Sequence, residues 1–310
     1  MSLAGRFDRM LGATLLDRED PTALGLVRVV LVTIFTLALV THVGAVAEYF
    51  SDDSVLAGRF ARQAFDSRWS LFFTVTDAWG VRAIFALGVL AHLLWLLGLY
   101  TRVAAALSWV VWVSMVGRNP LLYSLADQLL MVLVTLLALM PSGRGLSLDA
   151  RWRGKGGTVP VWCRRMLQLQ LAVLYVGTGA LKTGDTWRTD GTALYYSLSN
   201  PYNRHFDVPH VLAMLQPWML RPMTWLVLVW EVGFGGFVMV HWIREVLGRP
   251  RRLPDLRKPF LGFGIAMHAG IQAMLYVAWF SPLAVGAYTA FLCPEEAKRL
   301  LKRLRRSKQA

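Results

Sequence analysis

Six ionisable residues lie inside long apolar runs of this sequence: Arg28, His92, Asp127, Lys182, Glu231 and His268. In hydrocarbon each costs about 3 kcal/mol or more, so each asks for a partner or a purpose. A lysine acts as a general base only as the neutral amine, and an apolar, poorly solvated position disfavours the ammonium form. Carboxylates such as Asp127 and Glu231 hold or pass protons. His268 stands in Met267-His268-Ala269-Gly270, where small neighbours let a ligand or another helix approach. The competing reading is that these groups pair with one another, or with Arg28, as glue between helices. His92, alone on an apolar helix, reads as a hydrogen-bonded packing residue.

Metal chemistry is not expected. No His/Glu pair has ligand spacing on one helix face, and Cys163 and Cys293 belong to no CxxC or Cys/His cluster, so neither a disulfide nor a structural zinc is expected. The sequence also has no Walker loop, no GxGxxG after a strand and no GxSxG elbow.

The elements that must position these side chains are membrane helices. The chain is 55% hydrophobic and only 17% charged, with a mean hydropathy of +0.45, which makes lipid its solvent. Apolar runs predict an all-α, polytopic bundle of about eight spans, placed at 23–45, 81–100, 103–117, 121–142, 161–182, 222–243, 259–278 and 280–294. The third and eighth are short. Trp79, Trp162, Trp218 and Trp242 sit at the ends of runs, as interfacial anchors do. No repeat or linker divides the chain. An interfacial N-terminal helix is expected over 1–22, a membrane domain over 23–294 and a basic tail over 295–310.

A formal net charge of +14 would suit a nucleic-acid partner, but the cations fall in the gaps between runs, where the positive-inside rule explains them and no nucleic acid is needed. Residues 143–160 carry Arg144, Arg151, Arg153 and Lys155, with Arg164 and Arg165 just inside the next span. Residues 244–258 carry five arginines and Lys258, and the tail alternates basic and apolar residues as a surface-lying helix does. Placing all three in the cytoplasm puts both termini inside, at the plasma membrane. The loops 46–80 and 183–221 are then external, with Lys182 at the outer end of span five. Asp127 and Glu231 would each lie about two turns in from the outer face.

Tyr175-Val176-Gly177-Thr178-Gly179-Ala180-Leu181-Lys182-Thr183-Gly184-Asp185-Thr186-Trp187, followed by Asp190-Gly191-Thr192-Ala193-Leu194-Tyr195-Tyr196, is more specific than a generic span. It resembles the horizontally transferred transmembrane domain, the membrane core shared with vitamin K-dependent γ-carboxylases. Arg118-Asn119-Pro120-Leu121 leading to Asp127-Gln128, then Trp230-Glu231 and Met267-His268, fit the same pattern in order. The resemblance implies that Lys182 is the base that deprotonates a reduced, vitamin K-like quinone. In the carboxylases, oxygen then converts the anion into a strong base that takes a γ-proton from a peptide glutamate, and carbon dioxide adds. Asn119, Asp127, Glu231, His268 and Arg28 become supporting polar groups. Trp187, Tyr195 and Tyr196 become ring-stacking or anchoring aromatics, and Asp190-Gly191 a turn near the site.

Two departures stand beside that resemblance. The carboxylases place a histidine near the asparagine before span four, whereas this chain reads Asn119-Pro120-Leu121-Leu122, leaving His268 or His205 to substitute. They also carry a large lumenal domain for propeptides; here a short tail follows the last span, so propeptide recognition of that kind is not expected. The sequence therefore leaves two readings open: a quinone-dependent enzyme acting on a secreted peptide, and a non-catalytic membrane accessory for maturation or export of such a peptide. Transport would call for an inverted repeat or paired broken helices, and neither is present.

Overall fold

The computed structural model describes residues 12–54, 56, 58–65, 67–248 and 253–307. Helix accounts for 75% of the protein and the strands for four residues, so the chain is all-α. The principal helices are α1 (Thr22–Val40), α2 (Ala78–Leu97), α3 (Thr101–Arg118), α4 (Leu125–Leu139) and α5 (Trp162–Leu181). They are followed by α6 (Arg221–Val246), α7 (Arg257–Met274), α8 (Phe280–Ala287) and α9 (Pro294–Ser307). Three helical stretches among the described residues are long and apolar enough to cross a membrane, Thr22–Phe50, Ala78–Leu97 and His210–Val246; α4 is a shorter apolar helix.

Half of the expected interfacial helix over 1–22, residues 1–11, lies outside the described residues. Its remainder is a π turn at Gly12–Leu16 and a short strand, β1 (Arg18–Glu19), paired antiparallel with β2 (Val159–Pro160). The run expected to form an eighth span folds as the eight-residue α8 followed by a 3-10 turn over Tyr288–Phe291. At about 1.5 Å per α-helical and 2 Å per 3-10 residue, that piece falls short of a 30 Å hydrocarbon core.

The chain forms two compact units, Arg18–Cys163 with Leu292–Ala310, and Met1–Asp17 with Arg164–Phe291. The division falls at Cys163 and Arg164, inside a continuous helix where no change of composition marks it.

In the unit containing α1 to α4, α1 is the central helix. Two-thirds of its apolar window is buried, against one-third for α2, whose Leu87, Leu90, Leu93 and Leu97 face outward as lipid-facing residues do. Phe35 of α1 packs edge-on against His92 (4.1 Å) and Trp112 (4.9 Å). His92 Nδ1 lies 2.7 Å from the Gly88 carbonyl one turn back, the arrangement of a packing histidine. Asp77 caps α2 by accepting from the Gly80 N–H, and the helix stops at Gly98, whose φ of +70° is left-handed. A Cβ at Gly98 would stand 2.3 Å from Ser147 Cβ and 2.4 Å from Arg28 Nη1, so this turn requires glycine for space as well as for φ. The tail helix α9 buries Ala297 against Ala23 and Leu26, Lys298 pairs with Asp20 at 2.6 Å, and Leu300 and Leu304 remain exposed.

Asp149 ties the α2–α3 turn to the polar segment after α4. Its carboxylate accepts from Tyr100 N (3.1 Å), Thr101 N (2.8 Å), Thr101 Oγ1 (2.8 Å) and Arg153 Nη1 (3.2 Å). Burial pushes this carboxyl up, but those bonds more than offset it and hold the group below its ordinary range. The folded value is thus lower than the unfolded one, so the stabilisation is complete above about pH 4 and is lost as the pH falls further. In detergent, the unfolding temperature is expected to drop as the pH falls below about 4. Asp149→Asn should be less stable at neutral pH and should lose part of that drop; an unchanged pH profile would count against the assignment.

Candidate functional site

The unit containing α5 to α8 brings Lys182 and Glu231 together. Lys182 follows the last residue of α5, and its Nζ pairs directly with Glu231 Oε2 on α6. The approach depends on Gly179, one turn back, where a Cβ would lie 3.0 to 3.2 Å from Val232 and Glu231. Glycine there lets α5 settle on α6 closely enough for the two side chains to meet. The lysine side chain is 21% exposed and the glutamate 10%. Trp187 completes the surroundings, with Nζ lying 4.7 Å from the centroid of its ring. A carboxylate and an aromatic face are the partners of an ammonium ion, so the apolar position expected for this lysine includes a counter-charge.

The segment after Lys182 is folded back by short-range bonds. Asp185–Arg188 form one helical turn, and Arg188 donates to the carbonyls of Lys182 (3.0 Å) and Ala180 (3.4 Å), which the end of α5 would otherwise leave unsatisfied. Arg188 escaped the sequence reading, although a cation just past a helix end is a known capping signal. Asp190 is exposed; its N–H bonds to the Asp185 carbonyl at 2.7 Å, and among the described residues its carboxylate makes no hydrogen bond or ion pair. The turn rests instead on Gly191, whose φ is +64° and whose absent Cβ leaves room for Arg221 and Trp225. Beyond it, Leu194 N–H bonds Thr224 Oγ1 on α6 at 3.3 Å. Tyr195 and Tyr196 meet edge-on at 5.5 Å, Tyr196 outermost.

His268 belongs to a second buried polar group on the same unit. Tyr175 OH lies 2.8 Å from His268 Nε2 and 2.8 Å from Tyr288 OH. Tyr175 sits seven residues before Lys182, about 10 Å along α5. Trp230, next to Glu231, packs on the Tyr175 ring at 4.8 Å. His268 Nδ1 has no partner among the described residues. Tyr288 was not legible as a site residue, because a tyrosine at the end of an apolar run reads equally well as an anchor.

Asn119, Asp127 and Arg28 lie in the other unit, each with local work to do. Asn119 Nδ2 donates to the Tyr49 carbonyl at 3.3 Å. Asp127 sits in the first turn of α4, not about two turns along a span. Pro120 and the extended Tyr123-Ser124 delay the helix until Leu125, and Asp127 closes a capping box with Ser124. Arg28 is fully buried and donates to the carbonyls of Ser142 (3.3 Å) and Leu146 (2.5 Å).

A family model, that of the HTTM domain, matches residues 17–248. The chain belongs to the HTTM domain family. The match contains Lys182, Trp187 and Glu231, while His268 and Tyr288 lie beyond it. The HTTM domain is a membrane domain tied to vitamin K-dependent carboxylase-like proteins, and with the apolar helices the match makes this chain a membrane protein. No curated protein and no solved structure matches the chain.

The surroundings of Lys182 are open and partly apolar. Gly177 has open space where a side chain would be, Leu181 is exposed beside the lysine, and the Trp187 ring offers a face. A cation, a carboxylate and an indole thus meet at one edge of the unit.

Proposed function

We propose that this HTTM protein binds a reduced, quinone-like lipid at the end of α5 and uses Lys182 as its general base, with Glu231 as the partner that holds and returns the proton. The contact between Lys182 and Glu231 carries this reading. Bound there, a hydroquinone would supply a hydroxyl proton and the electrons for reaction with oxygen. With its proton handed to Glu231 or to the outer face, the Lys182 amine accepts the hydroxyl proton. The resulting ammonium then stays beside the negative charge it has generated and stabilises it. Trp187 orients the ring, and Tyr175, with His268 and Tyr288, is the buried polar group nearest along the helix. On this reading a secreted peptide is the acceptor, and carboxylation or oxygenation is the outcome.

The reading includes a polytopic chain in the plasma membrane, supported by the three basic segments that belong on one side. Both termini are cytoplasmic and Lys182 faces outward.

The experiment is turnover of purified protein in lipid with hydroquinone, oxygen and bicarbonate, with epoxide as the product measured. Wild type is expected to form epoxide and Lys182→Ala to lose at least about a hundredfold, the usual contribution of a positioned base. Absence of turnover, or equal turnover by the variant, would end the proposal.

The alternative, a non-catalytic accessory for maturation or export of a secreted peptide, draws on the segment after Lys182. There Tyr196, Tyr202, Phe206 and Trp218 are all exposed, as a peptide-docking surface would need. It requires that Lys182→Ala keep function while changes within 183–221 abolish it.

A further inference from the structure

We propose that a cavity between the α2–α3 turn and residues 141–156 holds the phosphate headgroup of an anionic phospholipid. The cavity, about 520 Å³, lies wholly within the unit of α1 to α4, and Arg102, Arg144, Arg153 and Lys155 line it against the single carboxylate of Asp149. That carboxylate is already engaged by Tyr100 N, Thr101 N, Thr101 Oγ1 and Arg153, so it leaves the cationic excess uncompensated.

The four cations divide into two kinds. Arg153 lies over the Tyr100 ring at 4.2 Å and Arg144 donates to the Thr158 carbonyl at 2.6 Å, so both are oriented by the fold. Arg102 and Lys155 are exposed at the rim, and among the described residues their side chains make no hydrogen bond or ion pair. A phosphate seated between them would meet two preset guanidiniums and two adaptable cations, a donor set matched to a multidentate anion.

The apolar surroundings select a lipid over free phosphate. Val103 lines the cavity and is 60% exposed, and one turn along α3 stands Leu107, also exposed; on α2, which packs beside α3, Leu93 and Leu97 are exposed as well. Tyr100, exposed at the same edge, has the position of an interfacial aromatic. Acyl chains would lie along these leucines while the headgroup occupies the cationic cavity, a combination that basic pockets between membrane helices use. Nothing in this inference depends on Lys182 or on turnover.

The test is native mass spectrometry of the full chain in neutral detergent with phosphatidylglycerol or phosphatidylcholine added at equal concentration. Wild type is expected to retain one phosphatidylglycerol and about tenfold less phosphatidylcholine. Arg102→Gln/Lys155→Gln should lower the phosphatidylglycerol adduct by about twenty-five-fold, at about fivefold per charge, whereas Arg102→Lys/Lys155→Arg should keep it. Arg299→Gln/Lys302→Gln removes the same charge from the exposed face of α9 and should leave the adduct unchanged. Equal loss in this α9 variant, or undiminished binding by Arg102→Gln/Lys155→Gln, overturns the proposal. So does retention of added inorganic phosphate without any preference between the two lipids, which would assign the cavity to free phosphate.

Discussion

Glu231→Leu, with Lys182 left in place, is expected to cost the folded protein about 2–4 kcal/mol, and adding Lys182→Met is expected to return most of that loss. Removing one member of a buried pair strands the other in a poorly solvated place, at about 3–5 kcal/mol, while replacing both by apolar residues of similar size is often neutral. The lower range applies here because Lys182 keeps one-fifth of its side chain exposed and can lean toward the interface. Unfolding temperature in detergent measures all three variants, and strictly additive losses would show that the pair does not couple α5 to α6. The same variants separate structure from chemistry. If the pair only joins helices, the stable double variant keeps whatever activity the wild type has; if Lys182 is the base, it folds and does not turn over.

The second large effect is expected at the opposite end of those two helices. Arg164 and Arg165, at the start of α5, read in the sequence as cations just inside span five that mark its cytoplasmic end; both are buried and directed at Glu245 near the end of α6, at 3.3 and 3.6 Å. Gln168 extends this layer by donating to the Ala290 carbonyl at 2.8 Å and accepting from Trp242 Nε1 at 2.5 Å. His241 Nε2 stands 3.8 Å from Glu245. Glu245→Ala removes the carboxylate that two buried guanidiniums share, and a loss of about 3–5 kcal/mol is expected, seen as poor yield and a much lower unfolding temperature. Glu245→Gln keeps one hydrogen-bond acceptor without the charge and should lose about half as much. If Glu245→Ala unfolds like the wild type, this layer does not hold α5 to α6.

The membrane character, the helical class and the family were all legible in one dimension. An apolar run and the cations flanking it are properties of neighbouring residues, and helix hydrogen bonds are local, so Thr22–Phe50 and Ala78–Leu97 announce themselves without reference to the rest of the chain. The motif from Tyr175 to Tyr196 is likewise contiguous, and the family match runs through it. Capping is legible in principle too, since Ser124 with Asp127 three residues on is a helix-start signature.

What no linear reading supplied was the set of partners. Six intramembrane ionisable residues were visible as a group, and only packing distributed them. Glu231 went to Lys182, forty-nine positions away. Arg28 went to carbonyls more than a hundred positions on, and His268 to a tyrosine ninety-three positions before it. A charge in an apolar run declares that it needs satisfying; which group satisfies it depends on helix rotation and on close approaches such as that at Gly179, and these exist only once the helices have packed.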